Sequence, residues 1–159
     1  MTPKYIIIHH TATSRDNTTF EAINEYHRQK WNLKSSFGYY IGYHYLILGN
    51  GQYRQGRADT DEGIHTKGWN DKAIGICLTG NFMEEKPSEA QLNTLRDLIE
   101  VLSEGWNIPK ENIKGHREVR ATLCPGDNLM SWLLSYRSEP EIDRKKIIEE
   151  IKRLLDKLA

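Results

Sequence analysis

His116 and Cys124 lie eight positions apart in Gly115-His116-Arg117-Glu118-Val119-Arg120-Ala121-Thr122-Leu123-Cys124-Pro125-Gly126, a segment with little helical or strand character that closes on a Cys-Pro-Gly turn. Such a loop can bend an imidazole and a thiolate toward one point, and that pair suits a borderline-soft ion such as Zn²⁺. A catalytic zinc typically takes three protein ligands and leaves its fourth position to water, so one more ligand must come from elsewhere. The candidates are His9 and His10, at the end of the run Tyr5-Ile6-Ile7-Ile8. An apolar run bounded by polar residues reads as a buried strand, which would hold a terminal histidine rigidly. The residues alone do not choose between His9 and His10.

The elements that must position these groups follow in order. Thr18 and Glu21 carry a capping-box spacing for a helix to about Trp31, whose face includes Phe20, Ile23, His27 and Trp31. Residues 43–48 read as a strand with Tyr43 and Tyr45 on one face and His44 on the other, followed by a Gly49-Asn50-Gly51 turn and a return strand over 52–55. A loop from Gly56 to Lys72 precedes a nearly continuous apolar strand over 73–78, of the kind found inside a covered sheet. Cys77, within that strand, reads as a small core residue. Ser88 and Gln91 open a helix with a Leu92, Leu95, Leu98, Ile99, Leu102 stripe and a stop near Gly105. A short strand leads into the His116 loop, and a short helix spans 129–136.

The pattern predicts an α/β fold, with a mixed central β-sheet flanked by α-helices. Residues 1–138 form the expected catalytic domain, and residues 139–159 an extra C-terminal amphipathic helix packed on it. That helix aligns Ile147, Ile148, Ile151, Leu154, Leu155 and Leu158, and its mixed charges argue against a membrane-binding role.

Composition limits the partners. Of the 159 residues, 22 are Lys or Arg and 22 are Asp or Glu, so nothing advertises attraction to nucleic acid or to an anionic membrane. No run approaches a membrane span, and the N-terminus lacks the apolar stretch of a secretory signal. The expectation is a monomer made in the cytoplasm, with no nucleic-acid partner and no membrane insertion.

The combined blocks resemble the zinc amidase family that contains phage N-acetylmuramoyl-L-alanine amidases and peptidoglycan recognition proteins. They are Ile8-His9-His10-Thr11-Ala12-Thr13, Gly42-Tyr43-His44-Tyr45, Gly63-Ile64-His65-Thr66-Lys67-Gly68-Trp69-Asn70, residues 74–82, and Gly115-His116-Arg117 through Thr122-Leu123-Cys124-Pro125-Gly126, in the family's order. The resemblance implies a type 2 amidase fold and a zinc ion held by His9, His116 and Cys124. It implies hydrolysis of the amide between N-acetylmuramic acid and L-alanine, in peptidoglycan or in muropeptides. Tyr43 matches the tyrosine beside the metal. Thr122 occupies a position that is Lys in some phage amidases and commonly Thr in catalytic recognition proteins; its hydroxyl can bond a substrate oxygen but lacks the fixed charge. His65, Trp69 and Asn70 match a block bordering the substrate groove. Glu118 is a lesser candidate for a general base, and Arg57 for pairing with a peptide carboxylate.

Three functional readings remain after the resemblance. The first is endolysin-like lysis of the cell wall by an enzyme of phage or bacterial kind. The alternatives are a cytoplasmic amidase recycling anhydromuropeptides and a recognition module that binds wall fragments without cutting. Cys124 disfavours the last, because some recognition proteins of the family lack that residue.

Overall fold

The computed structural model describes residues 1–140 and 144–157, with side chains described outside 144–146. A five-stranded sheet, in the order β3-β2-β4-β1-β5, forms its centre. The strands are β1 (Tyr5–His10), β2 (Tyr45–Ile47), β3 (Tyr53–Gln55), β4 (Ala73–Leu78) and β5 (Ile113–Gly115). Only the β2–β3 pair is antiparallel, joined by the expected hairpin; β2–β4, β4–β1 and β1–β5 are parallel. The central strands are apolar on both faces because helices cover both, as parallel crossovers require. Fold class and mixed sheet are as the sequence implies.

Strand alternation separates the two sides. Ile6, Ile8, Ile74, Ile76 and Leu78 pack with α2 (Glu89–Trp106) and α3 (Asp127–Ser138), whose Leu95, Ile99, Leu129 and Leu133 are fully buried. On the opposite face, Leu46 and Cys77 meet Phe20 and Ile23 of α1 (Phe20–Trp31). Parallel β1 and β5 finish at the same end of the sheet, with Gly115 level with Ile8, which brings His9 and the residue after β5, His116, to that end. Ligand sites in parallel sheets lie beyond such carboxyl ends.

Local chemistry explains where the elements begin and stop, and where expectation misses. Ser88 and Gln91 form the predicted capping box. Gln91 is also fully buried and donates through Nε2 to the Thr79 carbonyl at 2.8 Å, tying the helix start to the end of β4. The helix passes Gly105 and stops at Asn107, whose left-handed φ of 53° closes it. Helix α1 is capped by Thr19, one residue later than expected, with its hydroxyl accepting from the Ala22 N–H. The strand predicted from Tyr43 begins only at Tyr45, because residues 42–44 bend. That bend overturns the alternation reading: Tyr45 joins the core beneath α2, while Tyr43 packs toward α1.

The C-terminal helix α4 spans Arg144–Asp156. Its apolar Ile147, Ile148, Ile151, Leu154 and Leu155 stay 48–60% exposed, so the burial expected against the domain is not found among the described residues. Leu158 and the expected helix start at residues 141–143 lie outside the described residues. No helix among the described residues is long and apolar enough to cross a membrane.

Candidate metal centre

The β1 pleat decides between the two histidines. Ile6 and Ile8 face the α2 side, so His9 faces the other and opens onto a cavity of about 480 Å³ lined by Tyr43, His65, His116, Thr122 and Cys124. His10 also reaches the rim, but its Nδ1 accepts the Phe82 N–H at 3.2 Å and is spent there.

His116 begins a short 3₁₀ turn directly after β5, and the chain then folds back on itself. The Arg117 N–H donates to the Cys124 carbonyl at 2.9 Å, and its guanidinium reaches the Leu123 carbonyl and the Asp127 carboxylate. These bonds close the loop and bring Cys124 under His9. The Cys124–Pro125 peptide is cis. Gly126, at φ 90°, follows; a Cβ there would lie 2.4 Å from the Phe82 carbonyl carbon, so the backbones touch where only glycine fits.

The result is a convergent donor set. One ligand atom from each of His9, His116 and Cys124 lies within 4.8 Å of the others, a site suited to a metal ion. His9 Nδ1 is 3.7 Å from Cys124 Sγ. With bonds near 2.05 and 2.3 Å, a tetrahedral zinc spaces nitrogen and sulfur ligands by about 3.6 Å. His116 Nδ1 is buried and has no hydrogen-bond partner among the described residues, an expensive state for a polar atom unless something binds it. Donor types, spacing and the orphaned nitrogen therefore fit a bound zinc.

Electrostatics keep the two imidazoles in ligand form. Burial, reinforced by the surrounding histidines, holds His9 well below the usual imidazole range, and burial also lowers His116. Both rings are neutral near pH 7. Burial pushes the Cys124 thiol up to about 12, opposed by the His10 N–H and the Arg117 charge. A bound cation would make a thiolate there. Burial, and then the neighbouring Cys77 and Cys124, raise Tyr43 well above the usual phenol range, so it keeps its proton. Both cysteines are free, and Cys77 is a buried residue of β4.

Around this centre the other candidates divide. Tyr43 stands with its ring 5.2 Å from that of His9, and Thr122 lies exposed at the rim with its Oγ1 accepting from the Cys124 N–H at 3.2 Å. His65 lines the cavity, its Nδ1 3.1 Å from His9 Nε2. Trp69 and Asn70 do not line it. Trp69 packs edge-on against Tyr5, and Asn70 Oδ1 accepts the backbone N–H groups of His65 and Thr66, which fastens the loop. Glu118 pairs with Arg137 at 3.0 Å and accepts the Gly115 N–H, facing away from a base role. Arg57 is buried and donates to the carbonyls of Ile41, Glu62 and Leu33, which turns its guanidinium inward rather than toward a peptide carboxylate. The contacts that sequence reasoning missed are backbone and histidine contacts around the ligands; a glycine inside the β4 pattern, Gly75, was the available signal of close approach.

Comparison with known proteins identifies the family and the fold. The family model for N-acetylmuramoyl-L-alanine amidase matches residues 1–127. Peptidoglycan-recognition protein SC2 of Drosophila melanogaster is 34% identical over 134 residues, covering 83% of this chain and 73% of that protein. Among solved structures, the amidase LysC from Clostridium intestinale URNW superposes with a TM-score of 0.73 at 34% identity, over 86% of this chain and 85% of that one. Bumblebee PGRP-SA gives 0.74 at 33% identity, over 86% and 83%.

Proposed function

The chain belongs to the N-acetylmuramoyl-L-alanine amidase family, and from that premise we propose that it is a zinc-dependent hydrolase. Its substrate is the amide between N-acetylmuramic acid and L-alanine in peptidoglycan. The observation that carries this reading is the convergence of His9, His116 and Cys124 on one point of an open cavity, with His116 Nδ1 otherwise unpartnered. Two neutral imidazoles and a thiolate would hold Zn²⁺ through three protein ligands, the donor count of catalytic rather than closed structural sites. When bound, the metal supplies Lewis acidity that activates water and polarises the scissile carbonyl.

The protein's own groups do the rest. Tyr43, kept protonated by its burial, orients the attacking water and passes a proton at its hydroxyl. Thr122 already accepts a bond from the Cys124 N–H, which leaves its own proton free to donate to the substrate oxygen as negative charge develops. Without the fixed charge of a lysine, that stabilisation is by a neutral hydrogen bond.

An endolysin-like role in wall lysis is supported by the endolysin amidase LysCS from Clostridium intestinale URNW, at 34% identity. The recycling and recognition-only readings are its rivals; the recognition-only reading draws on the relatives named for recognition. The protein acts as a monomer on peptidoglycan or muropeptide. Incubation with intact sacculi and with soluble muropeptides, with and without chelator, separates these. Stem peptides with a free L-alanine terminus, lost on chelation and restored by Zn²⁺, support the amidase. Preference for sacculi supports lysis, whereas binding without cleavage by zinc-loaded protein overturns the enzyme reading.

A further inference from the structure

We propose that His65 is a positioning residue that fixes the tautomer of His9, so that His9 turns its Nδ1 lone pair toward the metal; this rests on the zinc reading above. The argument starts at the far end of a short chain of bonds. His65 Nε2 lies 3.1 Å from the carbonyl oxygen of Ala73, the first residue of β4. A carbonyl only accepts, so the proton of neutral His65 sits on Nε2 and its Nδ1 carries a lone pair. The rings that surround His65 are those of His9, Tyr43 and His44, none of them an anion that would hold a second proton on it.

That lone pair faces His9 Nε2 at 3.1 Å. If His9 Nε2 were also bare, two lone pairs would oppose each other in a buried site. Thr66 does not remove the conflict. Its Oγ1 is 3.0 Å from His65 Nδ1 and 3.4 Å from His9 Nε2, and if it donates to His65 it can accept from His9. Either arrangement that satisfies the three atoms puts the His9 proton on Nε2. The bare Nδ1 is then the atom 3.7 Å from Cys124 Sγ, where the metal belongs.

The surroundings are built to admit this ring. A Cβ on Gly63 would lie 2.4 Å from His65 Cδ2, and one on Gly75 would lie 2.6 Å from the same atom. Asn70 holds the backbone of His65 and Thr66 from the other side. A group that only touched substrate would not need both ring nitrogens engaged inside the protein. Partners of metal-bound histidines raise ligand basicity and set ring orientation, and losing one typically costs about 10- to 100-fold in metal affinity.

The test uses the full chain and Zn²⁺ alone. Competition with a chromophoric chelator measures affinity for wild type, His65→Leu and His65→Asn, and long-range ¹H–¹⁵N correlation reads the His9 tautomer in metal-free wild type. The expected results are a roughly 10- to 100-fold weaker zinc affinity in His65→Leu, recovery to within a few-fold in His65→Asn, whose amide oxygen occupies the Nδ1 position, and a His9 proton on Nε2. Unchanged affinity in a folded His65→Leu overturns the proposal, as does a His9 proton on Nδ1 in wild type, which decides the matter even when the variant fails to fold. Failure of the amidase reading looks different: zinc-loaded wild type cleaves no substrate while these affinities and the tautomer stand.

Discussion

The backbone N–H of His10 donates to Cys124 Sγ at 3.4 Å, so the strand that presents one proposed metal ligand also hydrogen-bonds another. This contact stabilises sulfur more as thiolate than as thiol, yet burial dominates and leaves the metal-free thiol at about 12. His9 and His116 are already neutral above about pH 6.5. Zinc binding at about pH 7.5 is therefore expected to release about one proton per ion from Cys124, with a fraction of a second from a metal-activated water of pKa about 7, and apparent affinity to rise at least about tenfold per pH unit around neutrality. Calorimetry in buffers of different ionisation enthalpy measures that number. Release of no proton would remove Cys124 from the ligand set.

Tyr43 separates metal binding from turnover. Its ring sits 5.2 Å from His9 and packs against the α1 side of the core, contacts that phenylalanine preserves. Tyr43→Phe is expected to keep zinc affinity and thermal stability while lowering kcat by about 10²-fold or more, the usual scale for a lost proton-transfer group. A variant with near wild-type kcat would return Tyr43 to the role of a core aromatic.

Two histidines outside the centre make the fold acid-sensitive. His27 Nδ1 accepts the Gly42 N–H at 2.9 Å, and His44 Nδ1 accepts the Gly75 N–H at 3.0 Å, so both need a bare nitrogen. Burial lowers each from 6.5 to about 4. Their unfolded forms bind protons first as pH falls. Stability is therefore full above 6.5 and is lost toward 4, each ring contributing up to about 1.4 kcal/mol per pH unit within that window. Denaturant melts of zinc-free protein at several pH values test the slope, and His27→Gln should reduce it by about one proton. A flat profile between pH 7 and about 5 would contradict the buried neutral assignment.

Legibility from sequence followed physical range. The strands β1 and β4 and the capped helix α2 declare themselves through apolar runs and through Ser88 with Gln91, because their determinants are local. The His116–Cys124 loop was readable as ligand chemistry, and its partner only as one of two adjacent histidines; choosing His9 from residues needs the sheet face, which is a tertiary fact. Tyr43 was placed on the wrong face beside Tyr45 because a bend at 42–44 breaks the alternation. Trp69 and Asn70 were assigned to substrate by block membership, and what the fold adds is their loop role: Trp69 packs on Tyr5 and Asn70 Oδ1 holds the backbone of His65 and Thr66. The exposed apolar face of α4 shows the same limit, since amphipathicity announces a buried side but not what buries it.

Gly126 connects loop conformation to the centre and gives the sharpest steric prediction. Its φ of 90° is strained for any L side chain, and a Cβ there would also lie 2.7 Å from the Phe82 carbonyl oxygen. Backbone on the far side cannot rotate away as a side chain would. Gly126→Ala must therefore push the loop from residues 82–83, at a cost of about 1–3 kcal/mol. Two residues earlier, Cys124 moves with it, while His9 on β1 stays fixed by ladders to β4 and β5. The expected outcome is a folded protein with a lower Tm and zinc affinity reduced by at least about tenfold, since a misplaced thiolate forfeits ligand geometry. Unchanged zinc affinity with the lower Tm would mean that the loop absorbs the strain before it reaches Cys124, and that the tight Gly126–Phe82 approach serves folding alone.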